Sequence, residues 1–175
     1  VFLGGSDPFG IGMPADKIYT QIVSEKLNLE CVNLALPNAS NDTAFRLAYI
    51  WINSKKLKPK IVVLQTPPEN RFELLIHDRG SDSIESRFIN TMDQLIDKTK
   101  EPLWLSTDQN GLCNQEKNIM AIRHICDSLD IKFLTFNTDD IYGANNQLKV
   151  DLSRDLMHPG IITHQNFADK ITNLI

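Results

Sequence analysis

Apolar positions along this chain fall into two alternating rhythms. Short, largely apolar runs occupy residues 1–3, 31–36, 61–64, 103–105 and 131–136. Between them apolar residues return every three or four positions, the spacing of one helix face. Ile18, Tyr19, Ile22, Val23 and Leu27 mark the first such segment, with Asp16 as its cap and Asn28 as its end. Phe45, Ala48, Tyr49 and Ile52 mark the second, with Trp51 at the flank, a polar cluster at 38–42 in front and a basic end at 55–58. Ile84, Phe88, Met92, Leu95 and Ile96 mark a third; Ile119, Ile122, Ile125, Cys126 and Leu129 a fourth; Ile162, Phe167, Ala168, Ile171 and Leu174 the last. The run at Ile61 has no polar alternation, as in a parallel strand buried on both faces. Strands alternating with helices predict a parallel sheet with right-handed crossovers and helices on both sides. The five strands are expected to start near Val1, Cys31, Ile61, Leu103 and Ile131. Two long connections interrupt the rhythm, at 65–80 and 137–155.

Composition narrows the choices. With 175 residues, 42% hydrophobic and 23% charged, the chain reads as one globular domain, 1–175, with a substantial core. A net charge of −4 and no basic run argue against a nucleic-acid partner. No apolar run approaches the roughly 20 residues of a membrane span. Cys31, Cys113 and Cys126 show no CxxC spacing and read as reduced thiols, so no metal site is expected. Unpaired cysteines and the lack of a signal peptide favour a cytoplasmic location. The chain starts on a strand without Met and reads as trimmed, so an upstream leader or domain stays open.

Chemistry is concentrated at the two ends. The first strand breaks at Gly4-Gly5 and presents Ser6 at its carboxyl end, where open α/β sheets bind ligands. A nucleophilic serine needs that exposure and a base within reach. The matching signal is Asp155-Leu-Met-His158, followed by Pro159. A spacing of three lets the carboxylate fold back on the imidazole and fix its tautomer. The competing readings are a bystander serine in a Gly-rich turn, and Asp155 capping the last helix. Asp7 reads as a turn cap and His164 as a helix-surface or cap residue. Trp51 and Trp104 fall in core patterns. On the 65–80 connection lie His77, Arg79 and Arg71; the Arg71 guanidinium is suited to a carboxylate or phosphate. Gly4-Gly5 is neither a P-loop nor GxGxxG.

Gly4-Gly5-Ser6, the stretch from Asn33 to Asn38, and Asp155-x-x-His158-Pro159 resemble blocks I, II and V of the SGNH, or GDSL-like, hydrolases. The likeness spans nearly the whole chain, tighter at the ends than in the middle. It implies a three-layer α/β/α sandwich with a five-stranded parallel sheet. It also implies Ser6 as nucleophile, His158 as general base, Asp155 as orienting partner, and an acyl-enzyme route with no metal and no organic cofactor. The substrate implied is a small-molecule or glycan ester. The middle departs from the family. Ala35 and Asn38 replace the block II glycines, and the second of these would supply an oxyanion-hole amide. An asparagine can hold the positive φ that a glycine would. Block III, G-x-N-D in the family, has no clean counterpart; Asn70 is the nearest asparagine, with Arg71 beside it. A missing oxyanion donor costs roughly 100- to 1000-fold in turnover. A catalytically impaired module binding a glycan or a protein therefore stays open, as does a flavodoxin-like nucleotide-binding domain.

Overall fold

A computed structural model describes residues 1–77, 84–90, 108–137 and 150–175. In chain order the elements are β1 (Phe2–Leu3), α1 (Ser6–Phe9), α2 (Tyr19–Lys26), α3 (Asn41–Ala48), β2 (Ile61–Gln65), β3 (Arg71–His77), β4 (Ile84–Asn90), α4 (Asp108–Ser128), β5 (Lys132–Phe136) and α5 (Ile161–Thr172). β2 lies at the centre of a parallel sheet, with β1 on one side and β5 on the other. Phe2 sits opposite Val63, and Ile61 opposite Lys132.

Residues 31–36 run along the free edge of β1. Phe2 N–H donates to Val32 O at 2.9 Å, Leu34 N–H to Phe2 O at 2.9 Å and Leu36 N–H to Gly4 O at 3.1 Å. Only the Phe2–Asn33 pair makes a parallel bridge there. The Asn33 side chain explains the irregularity. Its Oδ1 accepts the Ala35 N–H and its Nδ2 donates to Pro8 O, so it competes locally with the ladder. The strand expected at 103–105, with Trp104, lies outside the described residues, as do Arg79, Met92, Leu95 and Ile96.

The alternation of β-strand side chains divides the core between two faces. Phe2, Val63 and Phe136 pack with Tyr19, Ile22 and Val23 of α2 and with Phe167, Ala168 and Ile171 of α5. Leu3, Val62 and Leu64 pack with Ala44 and Ala48 of α3 and with Ile122, Ile125 and Cys126 of α4. Helices therefore cover both sides of the sheet. Each fully buried aliphatic side chain contributes about 1.5–3 kcal/mol. Burial also pushes the Cys126 thiol up to about 11. None of the three cysteines is paired.

Several expectations are corrected. Residues 84–90 form β4, antiparallel to β3, rather than the start of a helix. Ile84 and Phe88 are four apart, which fits a helix face and equally a strand of period two, so the pair could not decide. Part of the connection at 65–80 is likewise β3. The first helix is preceded by a 3₁₀ turn at Ala15–Lys17, and Ile18, not Asp16, takes the cap position of α2. α3 does start where the polar cluster implied: Ser40 and Thr43 form a capping box. It continues into a π-helical turn at Tyr49–Asn53. That wider turn keeps Ile52 fully buried but leaves Tyr49 and Trp51 exposed, against the expected core positions. Lys56 lies over the Trp51 ring, 5.4 Å from its centroid. Ile162 and Leu174 of the last segment are also exposed.

Candidate active site

Ser6 is set by a backbone that only glycine tolerates. Gly4 follows β1 with a φ of 146°, and a Cβ there would lie 2.6 Å from Gln65 O and 2.8 Å from Pro8 Cγ. The carboxyl ends of β1 and β2 therefore come together immediately before the serine. Gly5 takes the cap position of the four-residue α1, and Ser6 opens it, half-buried. The Gly10 N–H closes this turn on Ser6 O at 2.9 Å.

Asp155 and His158 form a closed pair. Asp155 Oδ2 lies 2.5 Å from His158 Nδ1. Its Oδ1 accepts the His158 and Met157 N–H groups, each at 3.0 Å, and the Ser153 hydroxyl at 2.6 Å. The His158 N–H, then the Ser153 hydroxyl, the Met157 N–H and the imidazole together hold the carboxyl well below the usual carboxylate range. The turn requires a φ of 59° at Leu156. Ser153 N–H donates to His158 O at 2.9 Å, which fixes the other side of the loop. Asp155 does not cap the last helix. Asp151 does: it accepts the Ile162 N–H at 2.9 Å and the Thr163 N–H at 2.8 Å. That role was not read from the sequence, because Asp151 lies ten residues before α5 begins.

The two ends of the chain meet just beyond these residues. Gly12 has a φ of 75°, and a Cβ there would sit 2.6 Å from Ser153 Oγ. Arg154 Nε donates to Gly12 O at 3.3 Å. The loop after Ser6 thus packs on the turn that carries Asp155. Among the described residues Ser6 Oγ and His158 are not hydrogen-bonded.

The middle of the chain supplies three further predicted residues. Asn38 is exposed with a φ of 58°, the left-handed conformation that a glycine would adopt there. Asn70 lies in a turn anchored from two sides. Pro67 O accepts Asn41 Nδ2 and Gln115 Nε2, and Gly111 lets α4 approach the Glu69 carbonyl. Arg71 opens β3, with its N–H on Pro68 O at 3.2 Å. Its guanidinium leans over Gly5: a Cβ placed there would lie 3.8 Å from Nη1.

Sequence reasoning missed one polar chain beneath the site. His164, expected on the surface, is 1% exposed and stacks on Tyr19, with ring centroids 5.6 Å apart. Its Nδ1 accepts the Tyr19 N–H at 3.1 Å, while Nε2 is buried without a partner among the described residues. Burial pushes the imidazole down to about 4. The Tyr19 hydroxyl donates to Gln65 Oε1 at 2.9 Å, and Gln65 Nε2 donates to Asp7 Oδ2 at 3.1 Å. Asp7 therefore reaches to the end of β2 instead of only capping its own turn. The available signal was Gln65 itself, a polar residue ending an apolar strand. Among the described residues no group of three His, Cys, Asp or Glu is placed to hold a metal, and no helix is long and apolar enough to cross a membrane.

No family model matches the chain, and no curated protein is similar to it in sequence. Solved structures are similar in fold. A protein of Desulfitobacterium hafniense DCB-2 assigned to the lipolytic G-D-S-L family superposes with a TM-score of 0.54 at 12% identity, over 99% of this chain and 97% of its own. The psychrotrophic esterase EstA of Pseudoalteromonas sp. gives 0.49 at 12%, covering 98% and 93%. A lipolytic G-D-S-L protein of Veillonella parvula DSM 2008 gives 0.49 at 12%, covering 99% and 96%. The first establishes that this chain has the fold of the G-D-S-L structures, a parallel sheet flanked by helices.

Proposed function

We propose that this chain is a serine hydrolase acting on an ester through Ser6, His158 and Asp155. The observation that carries the reading is the Asp155–His158 pair. With Nδ1 held by the carboxylate at 2.5 Å, the imidazole keeps its proton on that side and offers Nε2 as a base. The proton it takes in the reaction is then stabilised by a carboxylate that three further donors keep ionised. Two other findings support the reading: the contact of the Gly12 loop with Ser153 and Arg154, and the G-D-S-L fold.

In this mechanism Ser6 Oγ attacks the ester carbonyl carbon as its proton passes to His158 Nε2. The tetrahedral intermediate collapses, and the leaving alcohol takes the proton from His158. Water then attacks the acyl-enzyme, with His158 again as base, and releases the acid and free Ser6. The backbone N–H groups of Ser6 and Asn38 and the side chains of Asn70 and Arg71 are assigned to the oxyanion and the substrate. The positive φ at Asn38 supports its share, since it retains the backbone form of the glycine it replaces. A small-molecule or glycan ester is the substrate class. Purified protein is expected to hydrolyse 4-nitrophenyl acetate, and Ser6→Ala to abolish the reaction. A wild-type rate no higher than that of Ser6→Ala would return the chain to a binding module.

A further inference from the structure

Among the described residues the Arg71 guanidinium has no carboxylate partner, although it is half-buried and stands at a densely charged hairpin base. Strand geometry explains why. Residues two apart on a strand share a face, so Arg71 and Glu73 point the same way, while Phe72 turns into the core. Glu73 would be the natural partner, but Arg46 takes it in a bidentate pair, Nη2 to Oε1 at 2.7 Å and Nε to Oε2 at 3.0 Å. Asp42 receives the Glu73 N–H and the Asn114 and Asn118 amides. Asp7 receives Gln65. Among the described residues, Glu73, Asp42 and Asp7 are thus held by other donors.

The guanidinium stands beside the residue that precedes the nucleophile. A Cβ on Gly5 would meet Nη1 at 3.8 Å and, among the described residues, no other atom within 4 Å. Gly5 immediately precedes Ser6. A planar, permanently charged fork with no carboxylate partner among the described residues is suited to a bidentate oxyanion.

We infer that the substrate carries its own negative charge, a carboxylate or phosphate close to the scissile ester, and that Arg71 determines this specificity by pairing with it. The inference rests on the hydrolase reading above.

The test compares kcat/KM for three acetyl esters: neutral phenyl acetate, 4-acetoxybenzoate and 4-acetoxyphenyl phosphate. Wild type is compared with Arg71→Gln and Arg71→Lys, with folding checked by thermal unfolding. The acyl group is constant, so intrinsic leaving-group differences cancel between proteins. Losing one charge-assisted pair is expected to lower the anionic-to-neutral ratio in Arg71→Gln by about 10- to 100-fold. Arg71→Lys should restore part of it. The arm with the larger fall identifies carboxylate or phosphate. An unchanged ratio, with all esters slowed alike, would make Arg71 only an oxyanion donor and overturn the inference. If no ester is turned over, the hydrolase reading fails separately. Calorimetric titration with 4-acetamidobenzoate, against neutral acetanilide, then decides: binding lost in Arg71→Gln keeps the anion site, and no binding by wild type removes it.

Discussion

The Asp155 carboxylate reaches back to the His158 ring, Oδ2 to Nδ1 at 2.5 Å, across a turn in which Leu156 holds a φ of 59°. The same carboxylate also collects two backbone N–H groups and the Ser153 hydroxyl. Its orientation is therefore set independently of the imidazole. Asp155→Asn should leave this turn folded while placing an amide against Nδ1, which favours the wrong tautomer. On the triad reading kcat for 4-nitrophenyl acetate is expected to fall roughly 10,000-fold. A loss under tenfold would mean that Asp155 shapes the turn without tuning the base.

Leu156 tests the cost of that turn. A left-handed conformation costs a non-glycine residue roughly 1–2 kcal/mol, and asparagine tolerates it better. The Leu156 side chain is 76% exposed, so little packing is lost on replacement. Leu156→Asn is expected to raise stability by about 0.5–1 kcal/mol, read from urea unfolding. Destabilisation would mean that the leucine makes a contact worth more than the strain.

His164 predicts a pH dependence of folding. In the unfolded chain its imidazole takes a proton near 6.5, whereas in the fold burial delays this to about 4. The folded-state value is depressed, so its contribution is complete above 6.5 and is lost as pH falls toward 4. The loss should reach about 3 kcal/mol. Urea midpoints between pH 7 and 4 would measure it, with His164→Gln as reference, because glutamine keeps an acceptor and does not titrate. Parallel slopes in the two proteins would sink this prediction. Asp155, also depressed, acts in a lower window: its share is lost only as pH falls below the ordinary carboxylate range.

Arg46 and Glu73 anchor the hairpin to α3. The Glu73 side chain is 2% exposed and that of Arg46 28%. Arg46→Met would strand a buried carboxylate, whereas Arg46→Met with Glu73→Leu removes both charges. The single change is expected to cost about 2–4 kcal/mol and the double change much less. Thermal unfolding of the two variants distinguishes a stabilising pair from a specificity device.

Much of this architecture was legible because periodicity and chemistry agreed. The run at Ile61 reads as a buried strand and is one, and the Ser40 cap lies in the polar cluster that announced it. Asp155 and His158 were legible as a pair because a spacing of three lets both side chains meet across one turn. The failures have physical causes. Ile84 and Phe88 satisfy two periods at once. The π turn after Ala48 shifts the helix face by a fraction of a turn, which takes Tyr49 and Trp51 out of the core. His164 was misplaced because its burial depends on a backbone N–H of Tyr19, 145 residues away, and no local pattern encodes that.

The contact between Gly12 and Arg154 joins positions 142 residues apart. Closing so long a loop costs entropy that the assembled sheet must repay, so this contact is expected to form late in folding. The serine at position 6 leaves the ribosome well before its base at position 158. On the hydrolase reading, neither a nascent chain nor a collapsed intermediate would have esterase activity. Recovery of turnover after dilution from denaturant would then time the docking of the chain ends, separately from the helix signal in circular dichroism.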